Sequence, residues 1–330
     1  MRVHGWMGRS LVLGIAVFVG YVPALTAHAT PLGSCLGFKP QDKVVIVEAT
    51  DVGMQTDIDA AAFELVDSGA IQTLALLPAG KTFDSAAQRA RTRNLNVGIT
   101  LALTNEAQDK LPWRGVLPAA TVPSLYNGQG NLWRTPAELA QHATEIDVRL
   151  ELNAQIAKAR DAGLSISHLE PRSAFWRASP MLTRVYLSLA RQTGYAMITT
   201  LGDMPLDRQQ ALNRNGQRAG IITPDTASSL ITPATSKSAD RTDDYAALLR
   251  RMPAGVNLLF IRPALGTPAA KAQLSDLPLR QADYAAWSDA DLQKSAQRDR
   301  IRFTNFNSLQ SLQGKINDDT DECLMQAFNQ

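Results

Sequence analysis

Short apolar runs alternate with amphipathic segments along most of the chain. The apolar runs have the length and the β-branched content of buried strands, and they lie at residues 44–49, 71–77, 97–103, 165–169, 195–199, 256–261 and 301–303. Apolar residues recur at helical spacing at residues 57–68, 85–93, 136–162, 180–193 and 242–251. Strands that alternate with helices pair in parallel through helical crossovers. The pattern therefore predicts an α/β fold with seven or eight parallel strands, arranged as a single distorted (β/α) barrel.

The predicted strand at residues 97–103 also indicates which side chains face inward. Its large apolar residues alternate with Gly98, Thr100 and Ala102. Because successive side chains of a strand point to opposite faces, the large residues should pack against the helices. Thr100 should then point into the lumen of the barrel.

Two segments, residues 105–134 and 201–240, have no regular apolar pattern. Long loops on a compact barrel usually supply binding residues or cover a site. We expect both segments to be loops at the barrel surface.

The N-terminus has the pattern of a secretory signal peptide. Arg2 and Arg9 precede an apolar run at residues 11–22, and Ala27-His28-Ala29 offers a small-x-small cleavage site. The run is too short to span a bilayer, and no later segment is apolar enough to do so. We expect a signal peptide at residues 1–29, an N-terminal segment at 30–42 and one barrel domain at 43–330. The mature protein should be secreted or periplasmic and should have no membrane span.

The charge balance argues against a nucleic-acid partner. The chain has 33 Lys+Arg and 31 Asp+Glu, so removal of Arg2 and Arg9 leaves 31 of each. Binding by counterion release requires a basic excess that the mature chain lacks.

Cys35 and Cys323 are the two cysteines of the chain. In an oxidising compartment they most simply form one disulfide that joins the two ends of the mature protein. Residues 32–35, Leu-Gly-Ser-Cys, also resemble a lipobox, so a lipid anchor on Cys35 is the alternative. The disulfide is favoured because polar residues separate this motif from the apolar run and because lipidation would leave Cys323 unpaired.

Several short motifs follow one another in a consistent order. Residues 43–54, KVVIVEATDVGM, form an apolar strand that ends at Asp51, where α/β barrels keep their chemistry. Residues 98–104 (GITLALT), 167–172 (SHLEPR) and 262–264 (RPA) come later. In order and spacing these segments resemble the motifs of the YdjC-like carbohydrate deacetylase family, over nearly the whole mature chain.

The resemblance implies a polysaccharide-deacetylase-like barrel that removes acetyl groups from oligosaccharides. In the family, one aspartate and two histidines hold a divalent metal, which activates water, and a second aspartate is the base. On the matching positions Asp51 is the metal aspartate, whereas Thr50 stands at the base position. Thr100 and Arg172 stand at the two histidine positions, and Arg262 replaces a late histidine. One liganding position of three is kept, so we expect no cofactor.

Few residues remain that could perform acid–base chemistry. The mature chain has two histidines, His142 and His168. His142 lies in a predicted helix and should have a surface or packing role. His168 precedes a strand end, where it is either a structural residue or a contact to substrate. Glu170 could act as base or ligand, or could orient a neighbour. Asp51, His168 and Glu170 are therefore the catalytic candidates.

The arginines suggest what replaced the metal. A buried carboxylate needs a cationic partner, so we hypothesise that Asp51 pairs with Arg172 or Arg262 in a pocket that binds no metal. Alternatively, these arginines bind a carboxylate or sulfate on a sugar. Arg280 matches a family arginine, and its other interpretation is a structural salt bridge.

Aromatic residues also lie near the expected mouth of the barrel, and aromatic rings stack on sugars. Trp133 and Trp176 are the candidates for this role. The sequence thus predicts an exported homologue of carbohydrate deacetylases that binds or acts on a saccharide in the cell envelope, in a divergent or inactive form. One alternative is an active hydrolase of N- or O-acyl sugars with zinc or magnesium in a rearranged site. Another is a structural barrel that binds a partner.

Overall fold

The computed structural model describes Met1, residues 30–230 and residues 241–329. Apart from Met1, the expected signal peptide lies outside the described residues. Their strands are β1 (Lys43–Val52), β2 (Thr73–Leu76), β3 (Asn96–Leu101), β4 (Ser165–Pro171), β5 (Ala196–Met197), β6 (Thr226–Ser229), β7 (Gly255–Ile261) and β8 (Ile301–Thr304).

All strand pairs are parallel, and the strand order is β5-β4-β3-β2-β1-β7-β6. The long strand β1 pairs with β7 on one side. On its other side, the first half of β1 pairs with β8 and the second half with β2. Beyond the edge of β5, the Met197 amide donates to the Ile222 carbonyl at 2.8 Å, just before β6 begins. The sheet curls into the distorted (β/α) barrel that the sequence predicts.

Most helices lie between successive strands and cover the outside of the sheet. The helices are α1 (Pro31–Cys35), α2 (Thr56–Asp67), α3 (Phe83–Thr92), α4 (Pro136–His142), α5 (Glu145–Asp161), α6 (Pro180–Thr193), α7 (Leu206–Arg218), α8 (Arg241–Arg251), α9 (Pro268–Gln273), α10 (Leu277–Ser288), α11 (Ala290–Arg298), α12 (Asn307–Asn317) and α13 (Cys323–Asn329). Helices α1, α12 and α13 instead contribute residues to the core on the inner face of the sheet.

Two apolar cores lie on the two faces of the sheet. The outer core joins the helices to the outward residues of the strands, among them Val97, Ile99 and Leu101. The inner core fills the lumen with residues of β1 and β7, such as Val44 and Val256, and with residues of α12. Helix α12 lies at the amino-terminal end of the strands, where Asn96 at the start of β3 donates to Asn307 at 2.7 Å. The opposite, carboxyl-terminal end of the strands is not covered by this helix.

The structure corrects two expectations about secondary structure. Residues 201–240, expected to be a loop, contain helix α7 and strand β6. Residues 136–162, expected to be one helix, form α4 and α5, because Ala143 is extended and Thr144 caps the new helix by accepting from the Asp147 amide. Between residues 105 and 134 the chain is irregular except for a short 3-10 turn.

The two ends of the described chain are tied to the barrel and to each other. Cys35 and Cys323 form the disulfide that the composition suggested, with their Cα atoms 5.8 Å apart. The Cys35 sulfur is therefore bonded to a protein partner. Thr30 donates its hydroxyl hydrogen to Asp225 Oδ2 at 2.8 Å, which anchors the N-terminal segment on the barrel. Among the described residues, no helix combines the length and the apolarity needed to cross a bilayer.

Candidate functional site

A pocket of about 740 Å³ opens at the carboxyl-terminal end of the barrel. Residues in the segments after strand ends line it, as expected for a site on this fold. They include Met54 after β1, Glu106 after β3, Arg172 after β4 and Arg262 after β7. The remaining wall comes from the segment between α9 and α10, residues 273–280. We call this cavity the arginine pocket, since three arginines line it.

Asp51 lies in the wall beneath this pocket and is 1% exposed. Its backbone φ is 69°, and the pairing of β1 with β2 shifts register between Ala49 and Val52. Such a bulge with a left-handed residue re-aims a side chain that regular alternation would place on the helix side. Left-handed backbone at a non-glycine residue is strained and clusters at functional sites. The bulge therefore places the Asp51 side chain beneath the pocket.

Two guanidinium groups neutralise the Asp51 carboxylate. Arg280 donates from Nη2 to Oδ2 at 2.7 Å. Arg172 Nε lies 3.0 Å from Oδ1, as an ion pair without hydrogen-bonding geometry. Burial acts to raise the pKa of Asp51, but Arg172, Arg280 and the more distant Arg262 together hold it well below its usual range. Asp51 is thus ionised and doubly paired.

The expected pairing of Asp51 with Arg172 or Arg262 is met by Arg172. The ion pair with Arg172 is present, but the second partner is Arg280 on α10 and not Arg262. Arg280 also donates from Nε to Asp276 Oδ1 at 2.8 Å. Through its bonds to Asp276 and Asp51, it links the start of α10 to the end of β1. These contacts fit the interpretation of Arg280 as a structural salt bridge.

Arg172 joins Asp51 beneath the pocket to residues of its rim. Its Nη1 lies 2.9 Å from the Glu106 carboxylate, which is 42% exposed. Its guanidinium lies over the Trp113 ring, 5.5 Å from the centroid, a cation–π distance. Trp113 is itself pinned, because its indole nitrogen donates to the Thr104 carbonyl at 3.2 Å. Arg172 is consequently held at the pocket with one edge toward the exposed Glu106.

Arg262 has the weakest pairing of the three arginines. Its nearest carboxylate is Asp276, with Nη1 3.6 Å from Oδ2, and 23% of its side chain is exposed. Burial lowers its pKa, and the positive charges of Arg280 and Arg172 act in the same direction, against the opposite influence of Asp51 and Asp276. Its backbone amide donates to Asp283 at 2.9 Å, which fixes the main chain. Arg262 thus presents a guanidinium whose charge is incompletely balanced.

A buried acidic cluster fills the lumen at the level of the strands. Glu170 Oε1 accepts hydrogen bonds from Thr50 at 2.7 Å and from Thr100 at 2.5 Å. Thr100 therefore points inward, as its alternation predicts. Glu48 lies beside Glu170 and also beside His168, whose Nε2 is 2.5 Å from Glu48 Oε2. Glu48, His168 and Glu170 are 0%, 0% and 2% exposed, so this cluster is enclosed.

His168 fits the structural interpretation better than contact with substrate. Its ring stacks on Phe306 with centroids 3.6 Å apart, and its Nδ1 lies 3.0 Å from Ser167 Oγ. On the β3 side it occupies the space that a side chain at Gly98 would need. The other histidine, His142, stacks on Trp133 at the end of α4, with centroids 3.9 Å apart.

Burial keeps the acidic cluster largely neutral. It raises the pKa of Glu48 to about 8 and that of Glu170 well above the ordinary glutamate value, with the neighbouring Glu48 adding to the second shift. It lowers the pKa of His168 to about 3.

Replacing Glu48 with glutamine should flatten the pH dependence of stability. The stability gained by keeping Glu48 neutral is complete below pH 4.5 and is lost as the pH rises through about 8. The free energy of unfolding of Glu48→Gln should therefore fall less steeply than that of the parent, by about 1.4 kcal/mol per pH unit. Urea titrations at about pH 5, 6.5 and 8 measure the difference, and the His168 contribution cancels because both proteins retain it. Exposed Glu322→Gln is the control, and parallel curves for Glu48→Gln and the parent would contradict the prediction.

The two candidate tryptophans lie in different places, and neither lines the arginine pocket. Trp176 is 4% exposed and stacks on Tyr186 with centroids 5.9 Å apart, so it packs in the outer core. Trp133 lines a second, smaller pocket of about 270 Å³ in the loop that precedes α4. We call this second cavity the Trp133 pocket.

Sequence reasoning missed three acidic residues of the site. Glu48 lies inside an apolar strand, where alternation with Val45 and Val47 on the outer face could have shown that it points inward. Glu106 and Asp276 lie in irregular or cap positions that no pattern singles out. Within the described residues, no three histidine, cysteine, aspartate or glutamate side chains form a group that could hold a metal ion.

Comparisons with known proteins agree with this architecture. A model of the family described as YdjC-like protein matches residues 44–298, which leaves α1, β8, α12 and α13 outside the match. A protein of Enterococcus faecalis V583, to which cleavage of cellobiose phosphate has been attributed, aligns with a TM-score of 0.69 and 21% identity over 81% of this chain and 99% of that chain. At that identity the likeness shows the fold alone.

A deacetylase named T48, solved with its substrate, aligns at 11% identity over 82% of this chain and 92% of that chain. Its TM-score of 0.37 is too low to support an argument. A comparison with curated proteins gave no match.

Proposed function

The chain belongs to the YdjC-like carbohydrate deacetylase family, and we propose that it is an exported member that binds a saccharide with an anionic group, without a metal. The observation that supports this most directly is the arginine pocket, where the Arg262 guanidinium is incompletely paired. The ligand class follows from the family and from the charge of this cavity.

The charges of the pocket favour an anion near Arg262. Arg280 and Arg172 are committed to Asp51, whereas the 3.6 Å separation of Arg262 from Asp276 exceeds hydrogen-bonding distance. A guanidinium fork matches the planar geometry of a carboxylate and also binds sulfate or phosphate oxygens. An incoming anion would therefore gain charge-assisted hydrogen bonds that no described residue supplies.

The residues at the ancestral metal positions do not fit a divalent cation. The Asp51 carboxylate is already satisfied by two guanidinium groups, and a third cation beside them would be repelled. Thr100 is fully buried, donates its hydroxyl hydrogen to Glu170 and does not line the pocket. His168 and Glu170, the other members of a rearranged site, are enclosed in the lumen below. The site chemistry thus favours binding over metal-assisted hydrolysis.

The size of the cavity suits a small saccharide. Ligand pockets usually measure about 300–1,000 Å³, and the arginine pocket measures about 740 Å³. The Enterococcus faecalis protein with a similar fold has been linked to a phosphorylated disaccharide, which is also an anionic sugar. These points support an anionic saccharide as the ligand.

Export is part of the same proposal. The sequence at residues 1–29 has the pattern of a signal peptide. The disulfide between Cys35 and Cys323 is the kind of bond that persists in the periplasm or outside the cell. We therefore place the binding function in the cell envelope.

Calorimetric titration of the purified mature protein tests the proposal. Glucuronic acid and a sugar phosphate should bind at least about 10-fold more tightly than glucose, a difference of about 1.4 kcal/mol. Arg262→Gln should weaken binding of the acids about 10-fold or more, since charge-assisted hydrogen bonds contribute about 1.5–3 kcal/mol. Added salt should weaken binding, whereas a chelator should leave it unchanged.

Lys271→Gln, on the exposed side of α9, is a matched control for the loss of one positive charge. Equal affinities for glucose and glucuronic acid would contradict anion recognition. Stoichiometric zinc binding that disappears in Asp51→Ala would contradict the metal-free site and favour the hydrolase alternative. Absence of binding to every sugar would favour a structural barrel with a protein partner.

A further inference from the structure

We propose that the Glu106 side chain occupies the anion site of the arginine pocket in the free protein, and that the anionic group of a ligand displaces it from Arg172. The inference rests on the proposed function and deepens it, because it names the residue that the ligand must displace. Its evidence is the charge balance of the pocket, the exposure of Glu106 and the rigidity of the turn that carries it.

The charged side chains of the arginine pocket balance one another. Its lining contains the three arginines together with the carboxylates of Asp276 and Glu106. Asp51, beneath the pocket, is the third carboxylate. The free pocket therefore has no net charge, and a bound anion would leave an excess negative charge there unless one of the carboxylates withdraws.

Glu106 is the most weakly held of these three carboxylates. Asp51 is 1% exposed and contacts two guanidinium groups. Asp276 accepts a hydrogen bond from Arg280 at 2.8 Å. Glu106 is 42% exposed, and Arg172 is its one cationic partner in the described chain. Ion pairs of exposed side chains contribute little stability, whereas a buried pair is costly to break, so an incoming anion should displace Glu106 and not the other two.

Arg172 contacts its two carboxylates through different nitrogen atoms. Its Nε lies 3.0 Å from Asp51, and its Nη1 lies 2.9 Å from Glu106. The guanidinium also lies over the Trp113 ring. Withdrawal of Glu106 therefore frees Nη1 for another anion, while Asp51 keeps its own ion pair. The ligand then meets two available guanidinium groups, because Arg262 lines the same cavity.

The backbone around Glu106 is fixed, so only the side chain has to move. Asn105 is 1% exposed, and its Oδ1 accepts from the Ala107 amide at 3.0 Å. Its Nδ2 donates to the Trp113 carbonyl at 3.1 Å, and its own amide donates to the Trp133 carbonyl at 3.0 Å. These bonds hold the turn in place. Rotation of an exposed glutamate between rotamers is fast and requires no backbone change.

Calorimetric titration with glucuronic acid tests the inference in two variants of Glu106. Glu106→Gln removes the carboxylate, and it should bind the acid about three- to fivefold more tightly than the parent, the factor that corresponds to a surface ion pair. Glu106→Asp keeps the charge but shortens the side chain by one methylene group. It should therefore lose the contact with Arg172 and gain affinity to a similar degree. The thermal midpoint and the affinity for glucose should be unchanged in both variants.

Asp109→Asn is the matched control for the loss of one negative charge. Asp109 lies in the same turn, is 73% exposed and pairs with Arg134 in the Trp133 pocket. Its replacement should leave the affinity for glucuronic acid within about 1.5-fold of the parent, because exposed charges at a distance are screened by salt.

The outcomes separate this inference from the proposed function. If Glu106→Gln strengthens binding but Glu106→Asp does not, or if Asp109→Asn strengthens it equally, then charge and not displacement sets the affinity, and the inference is overturned. If the acid binds to the parent and neither Glu106 variant binds it more tightly, the inference fails and the proposed function stands. If no acid binds to the parent or to either Glu106 variant, the proposed function itself fails.

Discussion

Replacing Arg280 with methionine is expected to lower the free energy of unfolding by about 3–5 kcal/mol, the usual effect of breaking one side of a buried ion pair. Arg280 is 3% exposed and donates to Asp51 at 2.7 Å and to Asp276 at 2.8 Å. Without it, the Asp51 carboxylate would keep only the ion pair with Arg172 while still buried. Methionine fills much of the same volume, so the loss reports the charge and not a cavity. Urea titration at neutral pH measures it.

Arg262→Met is the matched control, because it is the same substitution in the same pocket. Its side chain is 23% exposed and its ion pair with Asp276 is long, so we expect a loss below about 1 kcal/mol. If the two variants are equally stable, the Asp51 carboxylate does not depend on the guanidinium of Arg280. Recovery of Arg280→Met by added zinc would point to a metal as the true partner.

The barrel could be predicted from the sequence because its strands are apolar and its helices are amphipathic. The prediction failed where helix α7 packs through amides. Its buried residues are Gln209, Asn213 and Gln217, and Gln209 accepts from the Ala227 amide of β6 at 2.9 Å. A helix that packs by hydrogen bonds leaves no apolar stripe, so periodicity cannot detect it. Strand β6, with sequence TASS, was missed for the same reason.

The site could be predicted only in part. The position of Asp51 at a strand end and the match to family motifs located the pocket, and Arg172 was expected beside it. The contact with Arg280 joins residues 229 positions apart, and no local pattern encodes such a pair. Trp176 looked like Trp133 in the sequence, but it follows β4 into a buried turn and packs on Tyr186. Burial of that kind depends on tertiary packing and not on residue type.

The lumen of the barrel has three layers of side chains. Apolar residues and α12 occupy the amino-terminal end, the neutral acids Glu48 and Glu170 lie above them, and the pairs of Asp51 with the arginines lie at the pocket. A divalent ion could bind Asp51 only by displacing one of its two guanidinium partners. The arginine pairs and a metal ion therefore exclude each other at this position. In the middle layer the His168 ring packs directly against Gly98, so there is no room for a side chain at that position.

Replacing Gly98 with alanine should destabilise the protein by about 3 kcal/mol, at the upper end of ordinary overpacking. A Cβ at this position would lie 2.2 Å from His168 Nε2 and 2.4 Å from its Cε1. The imidazole cannot move aside easily, because it stacks on Phe306 and its Nε2 lies 2.5 Å from Glu48. Urea titration measures the loss, and Gly128→Ala is the control, since its added Cβ meets no atom within 4 Å. That control should stay within about 0.5 kcal/mol of the parent.

A double-mutant cycle identifies the cause of the Gly98→Ala loss. Removing the imidazole by His168→Ala makes room for the new methyl group, so the double variant should lose less stability than the two single variants added together. Residues in direct contact typically differ from additivity by about 0.5–3 kcal/mol, and we expect a value above about 1 kcal/mol. Additive losses would mean that a clash between the added methyl group and His168 is not the cause of the Gly98→Ala loss.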